Sequence, residues 1–185
     1  MVSGISELDQ ITKAAAGDKS AQAALVHRHM PIIYRVAYRM LRDEAEAEDV
    51  TQETFLRAWK ALPDWQPKAK FSTWACTVAI NLCRDRLRKA KPVFMDTPPE
   101  PTDVALKPDE QLASKQAVSS IQAQIAALPD RQREALTLSA LEGLGNKEAA
   151  AAMGITVHAL EGLLGRARRT LKSVLRANTS KDERQ

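Results

Sequence analysis

An all-α fold, two small helical domains joined by a proline-rich linker, is what this sequence predicts. Three features point there. Only 4% of the 185 residues are aromatic, and Ala, Leu, Arg, Glu and Gln, all good helix formers, dominate without any sustained β-branched alternation. Apolar residues recur at helical spacing, as in Phe55, Ala58, Trp59 and Leu62. Five of the nine prolines fall between Lys91 and Glu110, in KPVFMDTPPEPTDVALKPDE. Nothing there has helical period, and Pro98, Pro99 and Pro101 favour an extended backbone.

The first domain reads as four helices. One runs from about Glu7 to Ala16 and breaks at Gly17. A second starts at Asp18, a residue with the short acceptor side chain of an N-cap. It carries LVHRHMPIIYRVAYRML to about Leu41, with Pro31 a site for a kink. The third spans about Asp43 to Leu62. Pro63 and Pro67 bound a loop, PDWQPKAKF, and FSTWACTVAINLCRDRLRK follows as the fourth helix with Ser72 as its N-cap candidate. Beyond the linker come a leading helix, then Arg131 to Leu141, a short Lys147 to Met153 helix, and Val157 to Leu175.

Composition excludes several function classes. The net charge of +4 and pI near 9.2 permit a polyanionic partner without requiring one. The two cysteines form no Cys-x-x-Cys pair, so they read as core thiols, with neither a disulfide framework nor a zinc site. The first twenty residues lack a basic segment followed by an apolar run, and no stretch has the length of a membrane span, so a soluble cytoplasmic protein is expected. His27 and His29 are two apart and face away from each other on a helix, and His158 stands alone. With no Gly-rich phosphate loop, nucleophile elbow or HExxH, the chain is expected to be no enzyme, with no catalytic residue, no cofactor and no metal.

Three constellations carry chemistry. KEAAAAMGITVHALEGLL has the grammar of a helix-turn-helix: Ala149 and Ala150 where two helices cross closely, Gly154 at the turn, and Ile155, Leu160 and Leu163 as core contacts. An Ala-rich hairpin of this kind also occurs in bundles that bind nothing. From Asp43 to Glu53 the chain carries Asp43, Glu44, Glu46, Glu48, Asp49 and Glu53 with no base among them. The helix N-terminus accounts for the first few acids; six would repel DNA, so this face suits a basic protein surface or plain water. On the fourth helix, Thr73, Thr77, Asn81, Arg84 and Arg88 form one narrow stripe. Such a row can meet base edges or phosphates, or be an ordinary solvated face. The loop before it adds Trp65, Lys68, Lys70 and Phe71, aromatics and cations of the kind that hold separated strands.

In this order the three motifs are specific. AEDVTQETFLRAWKALPDW, then FSTWACTVAINLCRDRLRK, a proline-rich linker, and LPDRQREALTLSALEGLGNKEAAAAMGITVHALEGLLGRARRTLK together resemble the extracytoplasmic-function (ECF) sigma factors of bacterial RNA polymerase. The resemblance implies a region 2-like domain over 1–91, a linker over 92–110, a region 4-like helix-turn-helix domain over 111–177, and a tail over 178–185. It implies that Glu48, Asp49, Gln52 and Glu53 meet the clamp helices of the largest polymerase subunit. The second domain would dock on the flap of the β subunit. Trp65, Lys68, Lys70, Phe71, Thr77, Asn81, Arg84 and Arg88 would then meet the promoter −10 element. Thr156, His158, Glu161, Arg166 and Arg168 would meet the −35 element. Twenty linker residues reach roughly 65 Å when extended, near the length of two DNA turns at roughly 34 Å each. An anti-sigma factor is the further partner the family implies.

The recognition helix departs from the family. VHALEGLLG places Glu161, Gly162 and Leu163 where many members carry cations, leaving only His158 before Arg166. Glu161 can still accept from cytosine N4. Two rival readings stand beside the resemblance: a helix-turn-helix regulator that needs no polymerase, and a sigma-like decoy for an anti-sigma factor, for which this recognition helix is the support.

Overall fold

The computed structural model describes residues 6–66, 69–90 and 121–182, with side chains through Ser173 except that of Ala90. Lys68, Lys91, the linker, the start of the second domain and residues 183–185 lie outside the described residues. Every regular element among the described residues is helical: α1 (Glu7–Ala15), α2 (Lys19–Leu41), α3 (Glu44–Ala61), a 3₁₀ turn (Leu62–Asp64) and α4 (Phe71–Ala90). Then come a helical stretch α5 (residues 121–126), α6 (Asp130–Ala135) leading into a π-helical turn (Leu136–Leu141), α7 (Asn146–Met153) and α8 (Val157–Asp182).

Local chemistry sets the boundaries. Asp18 caps α2 as its side chain suggests, accepting from Ser20 N–H at 2.8 Å and Ala21 N–H at 3.0 Å. Asp43 caps α3 in the same way, 2.8 Å from Glu46 N. α2 continues through Pro31 as one helix. Ser72 is no cap: α4 already begins at Phe71, because the Trp74 amide bonds back to Lys70 C=O and draws Ser72 into the first turn. Gly154 ends α7 at φ +64°, the left-handed turn expected of a helix-turn-helix.

α2, α3 and α4 pack on one another with α1 laid against α2. The second domain does not stand apart. α7 packs on α4, and Ala75, Ala79, Ile80 and Cys83 of α4 share one continuous core with Ala149, Ala150, Met153 and Leu160. The small residues Ala149 and Ala150, 0% and 2% exposed, give that close crossing.

Cys76 and Cys83 are fully buried, and burial pushes both thiols up to about 12. Neither should react with a thiol reagent in the native protein, because thiolate and access are both lacking. Labelling is expected to track unfolding in a urea series; rapid labelling in native buffer would instead mean that α4 opens locally.

Candidate nucleic-acid interface

α4 owes its position to its apolar body. Ala75, Cys76, Ala79, Ile80, Leu82 and Cys83 are each at most 9% exposed, so the helix cannot rotate without uncovering them. Its polar stripe is therefore held at fixed spacing, but only part of it meets solvent. Thr73 is buried, and Thr77 is half-buried with its hydroxyl donating to Thr73 C=O at 2.8 Å. Asn81 is exposed and accepts from Arg84 Nη1 at 3.0 Å. Arg88 is exposed at the far end, paired with Asp85 at 3.0 Å.

Arg84 in the middle is turned to the second domain. Its Nε and Nη2 fork the carboxylate of Glu134 at 2.7 and 2.8 Å, and Glu134 is fully buried. Arg131 donates to the same carboxylate at 2.8 Å, and both guanidiniums reach Met153 C=O. The hydrogen bonds Arg84 donates to Glu134 hold it above its ordinary, already high pKa. Arg86 belongs to a different arrangement, since it pairs with Glu46 of α3. Of the acids between Asp43 and Glu53, Glu46 thus gains a partner from α4, which the local sequence lacked, and Glu53 pairs within its own helix with Arg57 at 2.7 Å.

The loop before α4 corrects one expectation outright. Phe71 is 1% exposed, with ring centroids 4.9 Å from His29 and 6.0 Å from Trp74, so it is a core residue and meets no base here. The core cluster that includes Leu25 and Ile33 claims it, and α4 starts two residues earlier than its apparent cap suggests. Trp65 is half-buried, 5.9 Å from Phe71 and edge-on to Trp74 at 5.5 Å. Lys70 is exposed and pairs with Glu148 of α7 at 2.9 Å. That bond raises the Lys70 pKa and lowers that of Glu148.

The −35 candidates all sit at the solvent face of α8. Thr156 caps the helix, its hydroxyl accepting from Ala159 N–H at 3.1 Å. His158, Glu161, Arg166 and Arg168 are exposed. His158, Gly162 and Arg166 line a shallow groove of about 310 Å³ with Arg131 and Ile155. Neither helix glycine is needed for space. A Cβ at Gly165 would meet nothing within 4 Å, and one at Gly162 only the Arg166 guanidinium at 3.6 Å. Gly162→Ala and Gly165→Ala are each expected to raise stability by about 1 kcal/mol, read from the urea midpoint; no shift would mean that α8 gains nothing from a better helix former.

On α3, Glu48, Asp49 and Gln52 are exposed and Glu53 is half-buried, its carboxyl held below the usual range by the Arg57 hydrogen bond. Beside them Leu56 is 55% exposed, at a groove of about 470 Å³ that Leu82 and Arg86 also line. Sequence reasoning passed over Leu56 because a leucine in a helical pattern reads as core. It also passed over Glu134 and Glu142, whose only signal was an acid at each end of the apolar run ALTLSAL.

Two family descriptions match this chain, Sigma-70 region 2 over residues 25–93 and Sigma-70 region 4 over residues 119–171. The chain is 32% identical to the RNA polymerase sigma factor CnrH of Cupriavidus metallidurans over 180 residues, covering 91% of this chain and 94% of that protein. It is 33% identical to the ECF RNA polymerase sigma factor SigW of Bacillus subtilis over 178 residues, covering 90% and 95%. Among solved structures, that of CnrH in complex with the cytosolic domain of CnrY superposes with a TM-score of 0.71 at 30% identity, over 91% of this chain and 96% of that one.

Proposed function

This chain belongs to the ECF RNA polymerase sigma factors, and from that premise we propose how its surfaces divide the work of promoter recognition. As a sigma factor it directs core RNA polymerase to promoters and is a transcription-initiation factor. The acidic face of α3, Glu48, Asp49, Gln52 and Glu53 with the exposed Leu56, binds the polymerase clamp. α8 reads the −35 element through Thr156, His158 and Glu161, with Arg166 and Arg168 on the backbone. The domains follow the boundaries 1–91 and 111–177.

The −10 element falls to Asn81, Arg84 and Arg88, with Lys70 and Trp65 at the loop and Thr77 behind them. Arg84 is bound to Glu134 when the domains are docked, so it reaches DNA only when the second domain moves off α4. Phe71 supports the loop from beneath. One observation carries this reading: an acidic and apolar face that DNA would reject stands on the same chain as a helix-turn-helix with a free reading face. A duplex-binding regulator has no use for the first.

A place in the cytoplasm fits this role, and no helix among the described residues is long and apolar enough to cross a membrane. An anti-sigma factor is proposed as a further partner, since the relative CnrH was solved with the cytosolic domain of CnrY. The test is multi-round transcription with purified core polymerase on sheared genomic DNA, with and without the protein. Discrete new 5′ ends are expected only with it. Their absence despite co-elution with core would favour a decoy, and no co-elution would leave the regulator.

A further inference from the structure

α3 runs back between α2 and α4, so the C-terminal ends of α2 and α4 meet at one end of the first domain. The ion pair of Arg86, late in α4, with Glu46, in the first turn of α3, fixes that end. Arg35 and Arg39 lie in the last two turns of α2 with Arg42 at its C-cap, and Arg84, Arg86, Arg88 and Lys89 lie in the last two turns of α4. The acids in the neighbourhood are Asp43, Glu44, Glu46, Glu48 and Asp85, of which Glu46 and Asp85 are taken by Arg86 and Arg88.

Arg35 and Arg39 lie one helical turn apart and point the same way. Their partner comes from the second domain. Glu142, its side chain 1% exposed, takes Arg35 Nε at 3.0 Å and Arg35 Nη2 at 2.7 Å on Oε2, and Arg39 Nη1 on Oε1. The π-helical turn makes this meeting possible, because it closes with the Glu142 amide on Thr137 C=O, five residues back, and delivers the carboxylate toward α2. Two guanidiniums around one anion form a built site for a planar or tetrahedral oxyanion. Arg84 repeats the pattern with Glu134. Two anion positions on the first domain are thus filled by two carboxylates of the second.

We propose that Arg35 and Arg39 bind the phosphate backbone of duplex promoter DNA, extending the Arg84 and Arg88 row, and that Glu142 occupies the same site when the domains are docked. The proposal rests on the sigma-factor reading above and adds to it a contact on α2. Paired DNA is the occupant because Arg35 and Arg39 lie about 9 and 15 Å along α2 from His29, at 1.5 Å per residue, and His29 packs on Phe71 beneath the loop proposed to hold separated bases. Rigid helices offering arginines alone suit backbone positioning, which needs charge and fixed spacing rather than base edges. Domain docking and promoter binding then compete for the same guanidiniums.

The test uses the full chain with core polymerase on a promoter fragment, measuring complex formation across a salt series. For R35A/R39A we expect binding to core unchanged and promoter affinity at least about tenfold weaker. The slope of log affinity against log salt should flatten by about 2, close to one per lost phosphate contact. R35K/R39K should keep the slope, since lysine still neutralises a phosphate, and Glu142→Gln should tighten promoter binding. An unchanged slope, or tighter binding by R35A/R39A, overturns the proposal, because arginines that only fasten the domains would favour DNA when removed. If the double variant does not fold, R35A alone, with its half-exposed side chain, is read in the same way for a flattening of about 1. A wild-type chain that forms no polymerase-dependent promoter complex overturns the sigma reading, and this proposal with it.

Discussion

Glu134→Ala is expected to release the second domain from α4 and to raise promoter binding. Glu134 is fully buried and holds two guanidiniums, so its removal leaves two cations facing each other with no anion between them. Removing one partner of a fully buried pair costs roughly 3–5 kcal/mol. Arg84 and Arg131 keep 30% and 42% side-chain exposure, so water recovers part of that, and about 2–3 kcal/mol is the expected loss. Small-angle scattering should show a larger radius of gyration with helix content by circular dichroism retained. Arg131 lies in the same domain as Glu134, so some of the loss falls within that domain. A double-mutant cycle with Arg84→Ala isolates the contact between domains, and a coupling below about 0.5 kcal/mol would show that Arg84 and Glu134 do not hold the domains together.

Phe71→Ala should be the most damaging single change in the first domain. The ring is 1% exposed and touches His29, Trp65 and Trp74. Truncation of a buried Phe costs about 3–5 kcal/mol, which for a chain of this size lowers the melting temperature by roughly 10 °C. Phe71→Leu separates support from contact. If Phe71 only props the loop, the leucine variant keeps most of the stability and opens promoters normally. Normal stability with lost promoter opening would restore Phe71 as a base contact.

The fold was largely legible in the sequence because helix boundaries are set locally. Asp18 and Asp43 carry capping acceptors, and Gly154 takes the left-handed turn that a Cβ would resist. The exposed row on α8 proposed for the −35 element and the acids of α3 were legible for the same reason, as each lies on one face of one helix. Ser72 and Phe71 were misread together. A two-residue shift in the start of α4 decides which side chain caps and which is buried, and the packing around His29 and Trp74 settles it.

What the sequence by itself determined is the set of helices, the two-part order along the chain and the family, because propensity, capping and motif order are written in neighbouring residues. What only the tertiary structure decided is the use of the charges. Arg84 looked free and is bound to Glu134, 50 residues away; Arg35 meets Glu142, 107 residues away. A guanidinium's partner is whichever carboxylate packing brings within about 3 Å, and no local pattern records which one that is.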